Sequence, residues 1–193
     1  MEVIMKKLIL SFLLGIFTIS CSNNNNILDA ILNNDLEGLK KLINKENINT
    51  GITIKDEVSI LDRSYEINKE TPIILAVLNK NKDMIRYLLD NGADPSIYDG
   101  RERNAFLWAC GAGDVEIIQM LVEHDPNLVN SRTGNNANGI IIAADFRNID
   151  VFEYLVKDLG LDVNHMDDLG VTALLLSRKK EAKEKLIELG ATR

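Results

Sequence analysis

From Thr71 onward the apolar positions of this chain recur on a fixed beat. In "TPIILAVLNKNKDMIRYLLDNGAD" (71–94), Ala76 is followed nine and twelve residues later by Ile85 and Leu88. In "NAFLWACGAGDVEIIQMLVEH" (104–124), Ala109 stands 33 residues beyond Ala76, and Ile118 and Leu121 keep both offsets. "NGIIIAADFRNIDVFEYLVKDLG" places Ala143 a further 34 residues on, with Phe152 and Leu155 at the same offsets. "TALLLSRKKEAKEKLIELGA" places Ser177 another 34 on, with a second helix expected to be about three residues shorter. Upstream, "ILDAILNNDLEGLKKLI" follows the rule around Ala30, with Leu39 and Leu42. Each copy reads as a short helix, a two- or three-residue turn and a longer amphipathic helix. Turn-rich links such as "DPSIYDGRE" and "DVNHMDDLG" separate the copies.

One such helix pair cannot bury its own apolar face, whereas five stacked pairs share a continuous core in which each touches only its neighbours. The pattern resembles the ankyrin repeat from Asn26 to Arg193. Thr71-Pro72 and Gly92-Ala93-Asp94 match the family signature of Thr-Pro-Leu-His-x-Ala and a later Gly-Ala-Asp, as do Thr172-Ala173-Leu174 and Gly190-Ala191. Asp162-Val163-Asn164 and the run Asp167 to Thr172 match the connecting hairpin. The resemblance implies an all-α solenoid of about five helix-turn-helix repeats with hairpin-like connections. Its expected units are a divergent first repeat (27–43), an insertion (44–70), repeats at 71–103, 104–137 and 138–171, and a shortened last repeat (172–193).

Departures from the signature carry their own expectations. Ile74, Leu107, Ile141 and Leu175 stand where the family has histidine, so these columns are expected to be packed apolar contacts. The hairpin glycine survives as Gly170 and is replaced by Lys69, Glu102 and Asn136. Asn tolerates positive φ, while Lys and Glu adopt it reluctantly, which predicts distorted or lengthened hairpins at those two positions. Repeats three and four each carry one extra residue, expected after the second helix. The insertion holds an alternating stretch, "ITIKDEVSI", that suggests a short hairpin. It reads equally as a binding loop or as a solvated spacer.

The first 20 residues are of another kind. Lys6-Lys7 followed by the apolar run Leu8 to Ser20 has the layout of a secretory signal and is short for a membrane span of about 20 residues. Starting at Met5 instead of Met1 would make it cleaner. Ile19-Ser20-Cys21 resembles the end of a bacterial lipoprotein signal, from which Thr18 departs. That resemblance implies cleavage after residue 20, attachment of palmitate-type acyl chains to Cys21, and a location in the bacterial cell envelope, held at the outer membrane or the periplasmic side of the inner one. Residues 21–26 are then expected to be a polar tether. Ser22, in place of an Asp after the cysteine, favours the outer membrane. With Cys21 lipidated, Cys110 loses its only possible disulfide partner and reads as a buried small apolar residue.

Composition changes little. With 22 Lys and Arg against 29 Asp and Glu, the formal charge of -7 and the lack of a basic cluster argue against nucleic acid. His124 and His165 lack neighbours at ligand spacing, so neither a metal nor another cofactor is expected. "GAGD" (111–114) lacks the strand and spacing of a phosphate loop and reads as a helix stop. No residue is singled out as catalytic, and the chain is not expected to be an enzyme.

By the resemblance, a partner protein would be met by hairpin tips and the short helices. Carried over by position, these are Leu78, Asn79, Gly100, Arg101, Arg103, Asn135, Asp145, Phe146, Asp168 and Leu169. Leu78, Phe146 and Leu169 stand out as apolar residues at positions expected to face solvent. Phe146 reads equally as an interface anchor or as packing against a neighbouring repeat, whereas Trp108, in the apolar column Leu75, Trp108, Ile142 and Leu176, reads as framework. Arg101 and Arg103 form a basic spot suited to an acidic loop, or a plain solvated tip. The leading expectation is a membrane-anchored, monomeric protein-binding module. Alternatives are a periplasmic inhibitor or immunity protein for an exported toxin or lipase, an envelope enzyme or ligand receptor using residues 44–70, and a structural spacer.

Overall fold

The computed structural model describes residues 23–60 and 63–192. The signal-like run and Cys21 lie outside the described residues. Helices come in pairs: α1 (Asn23–Leu32) with α2 (Leu36–Leu42), α3 (Pro72–Leu78) with α4 (Lys82–Asp90), and α5 (Ala105–Ala112) with α6 (Val115–His124). Then α7 (Gly139–Asp145) pairs with an irregular helical segment at 149–158, and α8 (Ala173–Leu176) with α9 (Lys180–Glu188). Strands β1 (Ile52–Ile60) and β2 (Arg63–Glu70) form one antiparallel hairpin between the first and second pairs. The helical solenoid of stacked repeats is thus observed.

Sequence punctuation sets the helix ends. Asp35, Asn81 and Asp114 cap α2, α4 and α6 by accepting from backbone N–H groups of the first turn. Asn104 and Asn138 do the same for α5 and α7. The columns that define the repeat form the core: Ala76, Ala109 and Ala143, then Ile85, Ile118 and Phe152, then Leu88, Leu121 and Leu155 are all fully buried. Each such large side chain contributes about 1.5–3 kcal/mol by leaving water. Matching asparagine clamps tie repeats together near each end. Asn49 donates to the Gly92 carbonyl (3.2 Å) and accepts from the Asp94 N–H (2.8 Å), and Asn164 does the same with Gly190 (2.9 Å) and Thr192 (2.8 Å).

Several expectations are corrected. The deletion in the last repeat falls in its first helix and turn: α8 has four residues against seven in α3, while α9 and α4 both have nine. The Ala191 N–H bonds to the Leu186 carbonyl as that of Ala93 does to Leu88, so Leu186 takes the place of Leu88. In repeat four the extra residue is absorbed inside the helix as a π turn at Tyr154–Asp158, which keeps Leu155 in register and closes with Leu159 N to Tyr154 O (3.1 Å). In repeat three the link after α6 winds into a 3-10 turn, Pro126–Asn130.

Glu102 occupies positive φ (58°) without distortion, since the links Asp99 N to Arg103 O and Glu102 N to Asp99 O recur at Thr133–Ala137 and Asp167–Val171. Lys69 (φ 63°) does sit in a lengthened hairpin, where Ile52 pairs with Glu70 and Thr53 with Asn68, leaving Lys69 as the bulge. The insertion is therefore a long first finger, replacing the three-residue tip 100–102 with residues 53–69. Asn23–Asn26, expected as tether, form the first turn of α1, because Ile27, Leu28 and Ile31 are buried and draw the helix onto the array. Ile74, Leu107 and Ile141 are packed, but Leu175 is 65% exposed, having no repeat stacked on it among the described residues.

Candidate partner-binding groove

Three fingers follow the first along one edge of the array. The backbone N–H of Gly100 donates to the Asn68 carbonyl (2.7 Å), linking finger two to finger one. Asp168 N–H donates to the Asn135 carbonyl (3.0 Å), linking finger four to finger three. Asp99 and Asp167 stiffen their own tips. Asp99 Oδ1 accepts from the N–H of Arg101 (2.8 Å) and Arg103 (3.0 Å), and Asp167 Oδ1 from Leu169 (2.9 Å) and Val171 (2.8 Å). Asn135 Nδ2 donates to Asp167 Oδ2 (2.9 Å), a cross-finger bond.

Between these fingers and the short helices lies a groove of 240 Å³. Arg101, Arg103, Thr133, Asn135, Asp145 and Asp167 supply polar walls, while Ile141, Ile142 and Leu176 line it with apolar surface. The Arg103 guanidinium lies 3.8 Å from Asp145, 4.8 Å above the Trp108 ring and 5.4 Å above Phe146. Trp108 and Phe146 meet edge to face at 5.7 Å, and Trp108 Nε1–H donates to Asp99 Oδ2 (2.6 Å). One stack of cation, indole and phenyl therefore joins finger two to the middle of α5 and the C-terminal end of α7. Gly111 permits it: a Cβ there would come within 3.2 Å of the Phe146 ring.

Of the residues anticipated for binding, Arg101, Arg103, Asn135 and Asp145 share this groove, with Phe146 in contact through Arg103 and Trp108. Phe146 is half-buried, packed back on the preceding repeat. Asp168 and Leu169 form the neighbouring tip, Leu169 being 77% exposed. Gly100 is exposed at the tip of finger two. Leu78 is corrected: it is 2% exposed, because the last turn of α3 is covered by the divergent first repeat. Asn79 belongs to that same junction, donating to the Ile31 carbonyl (2.7 Å) and to Asn34 Oδ1 (3.1 Å). Cys21 lies outside the described residues.

Sequence reasoning missed Asp99 as an organiser of the groove, although its equivalence to Asp167 at the start of a finger was a usable signal. Cys110 is fully buried and burial pushes its thiol pKa up, so it offers no nucleophile. Among the described residues no cluster of potential ligands could hold a metal. No helix among them is long and apolar enough to cross a membrane.

A family model described as ankyrin repeats (3 copies) matches residues 18–130 and 73–167. The chain is 32% identical over 137 residues to alpha-latrocrustotoxin-Lt1a of Latrodectus tredecimguttatus, covering 68% of this chain and 10% of that protein. It is 33% identical over 131 residues to ankyrin repeat domain-containing protein 63 of Mus musculus, covering 63% and 33%. With the nuclear factor NF-kappa-B p105 subunit of Gallus gallus it shares 26% identity over 115 residues, covering 58% and 12%. The matched stretch thus spans a tenth to a third of these relatives. Ankyrin repeats generally mediate protein–protein interaction and are non-catalytic modules. The repeat periodicity, the stacked helix pairs and the family match agree that this chain belongs to the ankyrin-repeat family.

Proposed function

We propose that this protein binds a partner protein in the groove between its fingers and short helices, while lipid on Cys21 holds it at the surface of a bacterial envelope membrane. The observation that carries the binding surface is the 240 Å³ groove, polar-walled and partly apolar-lined, with Leu169 standing 77% exposed on the finger whose base residues Asp167 and Val171 line it. An exposed large apolar side chain beside ordered charged groups is the composition of an interface centre with a polar rim. The anchor rests on the sequence alone: a basic start, an apolar run and Ile19-Ser20-Cys21. Two acyl chains suffice for stable attachment where one does not.

Photo-crosslinkers placed at the exposed neighbour Asp168 and, as a control, at Gln119 on a second-helix face test the surface. Capture of one partner from position 168 and not from 119, lost when Leu169→Asp is added, is the expected result. Equal capture by the Leu169→Asp variant would place the interface elsewhere. For the anchor, labelling with a fatty-acid probe should disappear in Cys21→Ala, and persistent labelling would overturn it.

A further inference from the structure

The deletion in the last repeat opens a space that the other repeats fill. In repeats two to four the short helix runs on into a turn residue at positive φ: Lys80 (54°), Gly113 (75°) and Arg147 (65°). In the last repeat the chain leaves α8 at Ser177 in extended conformation and enters α9 from Lys179, also extended. A hollow of 150 Å³ remains where the missing turn would lie. Its walls are Ala144, Ile149, Phe152 and Ala182, and at its mouth stand Arg147, Arg178 and Lys179. It shares no lining residue with the groove between the fingers.

Two features define what would fit. The first is size: an apolar hollow of this volume accommodates a body about as large as benzene. The second is charge. Arg147, Arg178 and Lys179 are exposed and make no ion pair among the described residues, whereas Lys82 and Lys185 pair across repeats with Glu116 and Glu153. Three unpaired cations around one apolar mouth, on a protein of net charge -7, are a local reversal of sign. The acidic residues nearest along the chain, Asp145, Asp150 and Glu181, do not line the hollow, and Asp145 faces Arg103 instead.

We infer that this hollow is a binding site for a small carboxylate with a compact apolar body, the ring or branched chain entering between Phe152 and Ala182 and the carboxylate lying among Arg147, Arg178 and Lys179. Guanidinium groups match a carboxylate with paired donors, and the apolar walls desolvate the rest of the ligand.

The test is titration of the full chain with phenylacetate, followed by amide NMR, with phenylacetamide as the neutral isostere. Saturable shifts confined to 144–152 and 177–182, with the amide bound at least about tenfold more weakly, are expected, the loss associated with one charge-assisted contact. The exposed double variant Arg178→Glu with Lys179→Glu should weaken phenylacetate by about tenfold or more. Ala182→Leu, which fills the hollow, should remove the saturable shifts. Absence of saturable shifts in the unaltered protein, equal affinity for acid and amide, or unchanged affinity in the double variant would each overturn the assignment. The surface variants keep the test decisive even where Ala182→Leu fails to fold.

Discussion

Trp108 Nε1–H donates a 2.6 Å hydrogen bond to Oδ2 of Asp99, so the indole of a short helix holds the carboxylate that shapes finger two. Both residues are buried, and the other carboxylate oxygen is committed to the N–H groups of Arg101 and Arg103. Trp108→Phe keeps the apolar bulk and removes the donor, leaving a buried anion short of one partner. Chemical denaturation should show a loss of about 1.5–3 kcal/mol. Hydrogen exchange should accelerate at the Arg101 and Arg103 amides before the helices are affected.

Thr71 should behave in the opposite way. Its buried hydroxyl has no hydrogen-bond partner among the described residues and does not cap α3. Thr71→Val is expected to be neutral or stabilising, since a buried hydroxyl without a partner carries a desolvation cost of about 1–3 kcal/mol. Thr172, the equivalent residue in the last repeat, accepts from the Leu175 N–H (3.3 Å), and Thr172→Val should cost about 0.5–2 kcal/mol. Parallel thermal melts of the two variants settle the contrast.

Gly139 begins α7 against the side chains of Phe106 and Cys110 on α5. A Cβ there would stand 2.8 Å from Cys110 Sγ and 3.3 Å from Phe106 and Leu161 atoms, so Gly139→Ala should destabilise by about 1–3 kcal/mol. Removing the sulfur relieves the clash. In a double-mutant cycle, Cys110→Ala should recover part of the loss, and additive effects would show that the strain lies elsewhere.

Glu153 pairs with Lys157 one turn on in its own repeat (2.6 Å) and with Lys185 of repeat five (2.7 Å), and these hydrogen-bonded cations hold its carboxyl down at about 2, from an ordinary 4.5. A depressed folded-state pKa contributes stability that is fully present above pH 4.5 and is lost as pH falls toward 2. The difference in melting temperature between the unaltered protein and Glu153→Gln should be largest above pH 5 and close toward pH 2. High salt should shrink it, because both lysines remain partly solvated.

What the sequence determined is the repeat. Ala76, Ala109 and Ala143 with their companions nine and twelve residues later are local spacings, and a helix converts local spacing into one buried face. The helix caps at Asp35, Asn81, Asp114, Asn104 and Asn138 are legible for the same reason, since each acts on N–H groups two or three residues away. Tertiary structure decided where the irregular residues went. Spacing could not show that an extra residue in repeat four becomes a π turn, or that three missing ones shorten α8 instead of α9, because either placement preserves the count. Nor could it show that Leu78 is covered by a divergent first repeat while Leu169 stays out, since burial depends on which surface a distant part of the chain brings into contact. The stack beside the groove joins Arg103, Trp108, Asp145 and Phe146 from three successive repeats, and only stacking brings them together.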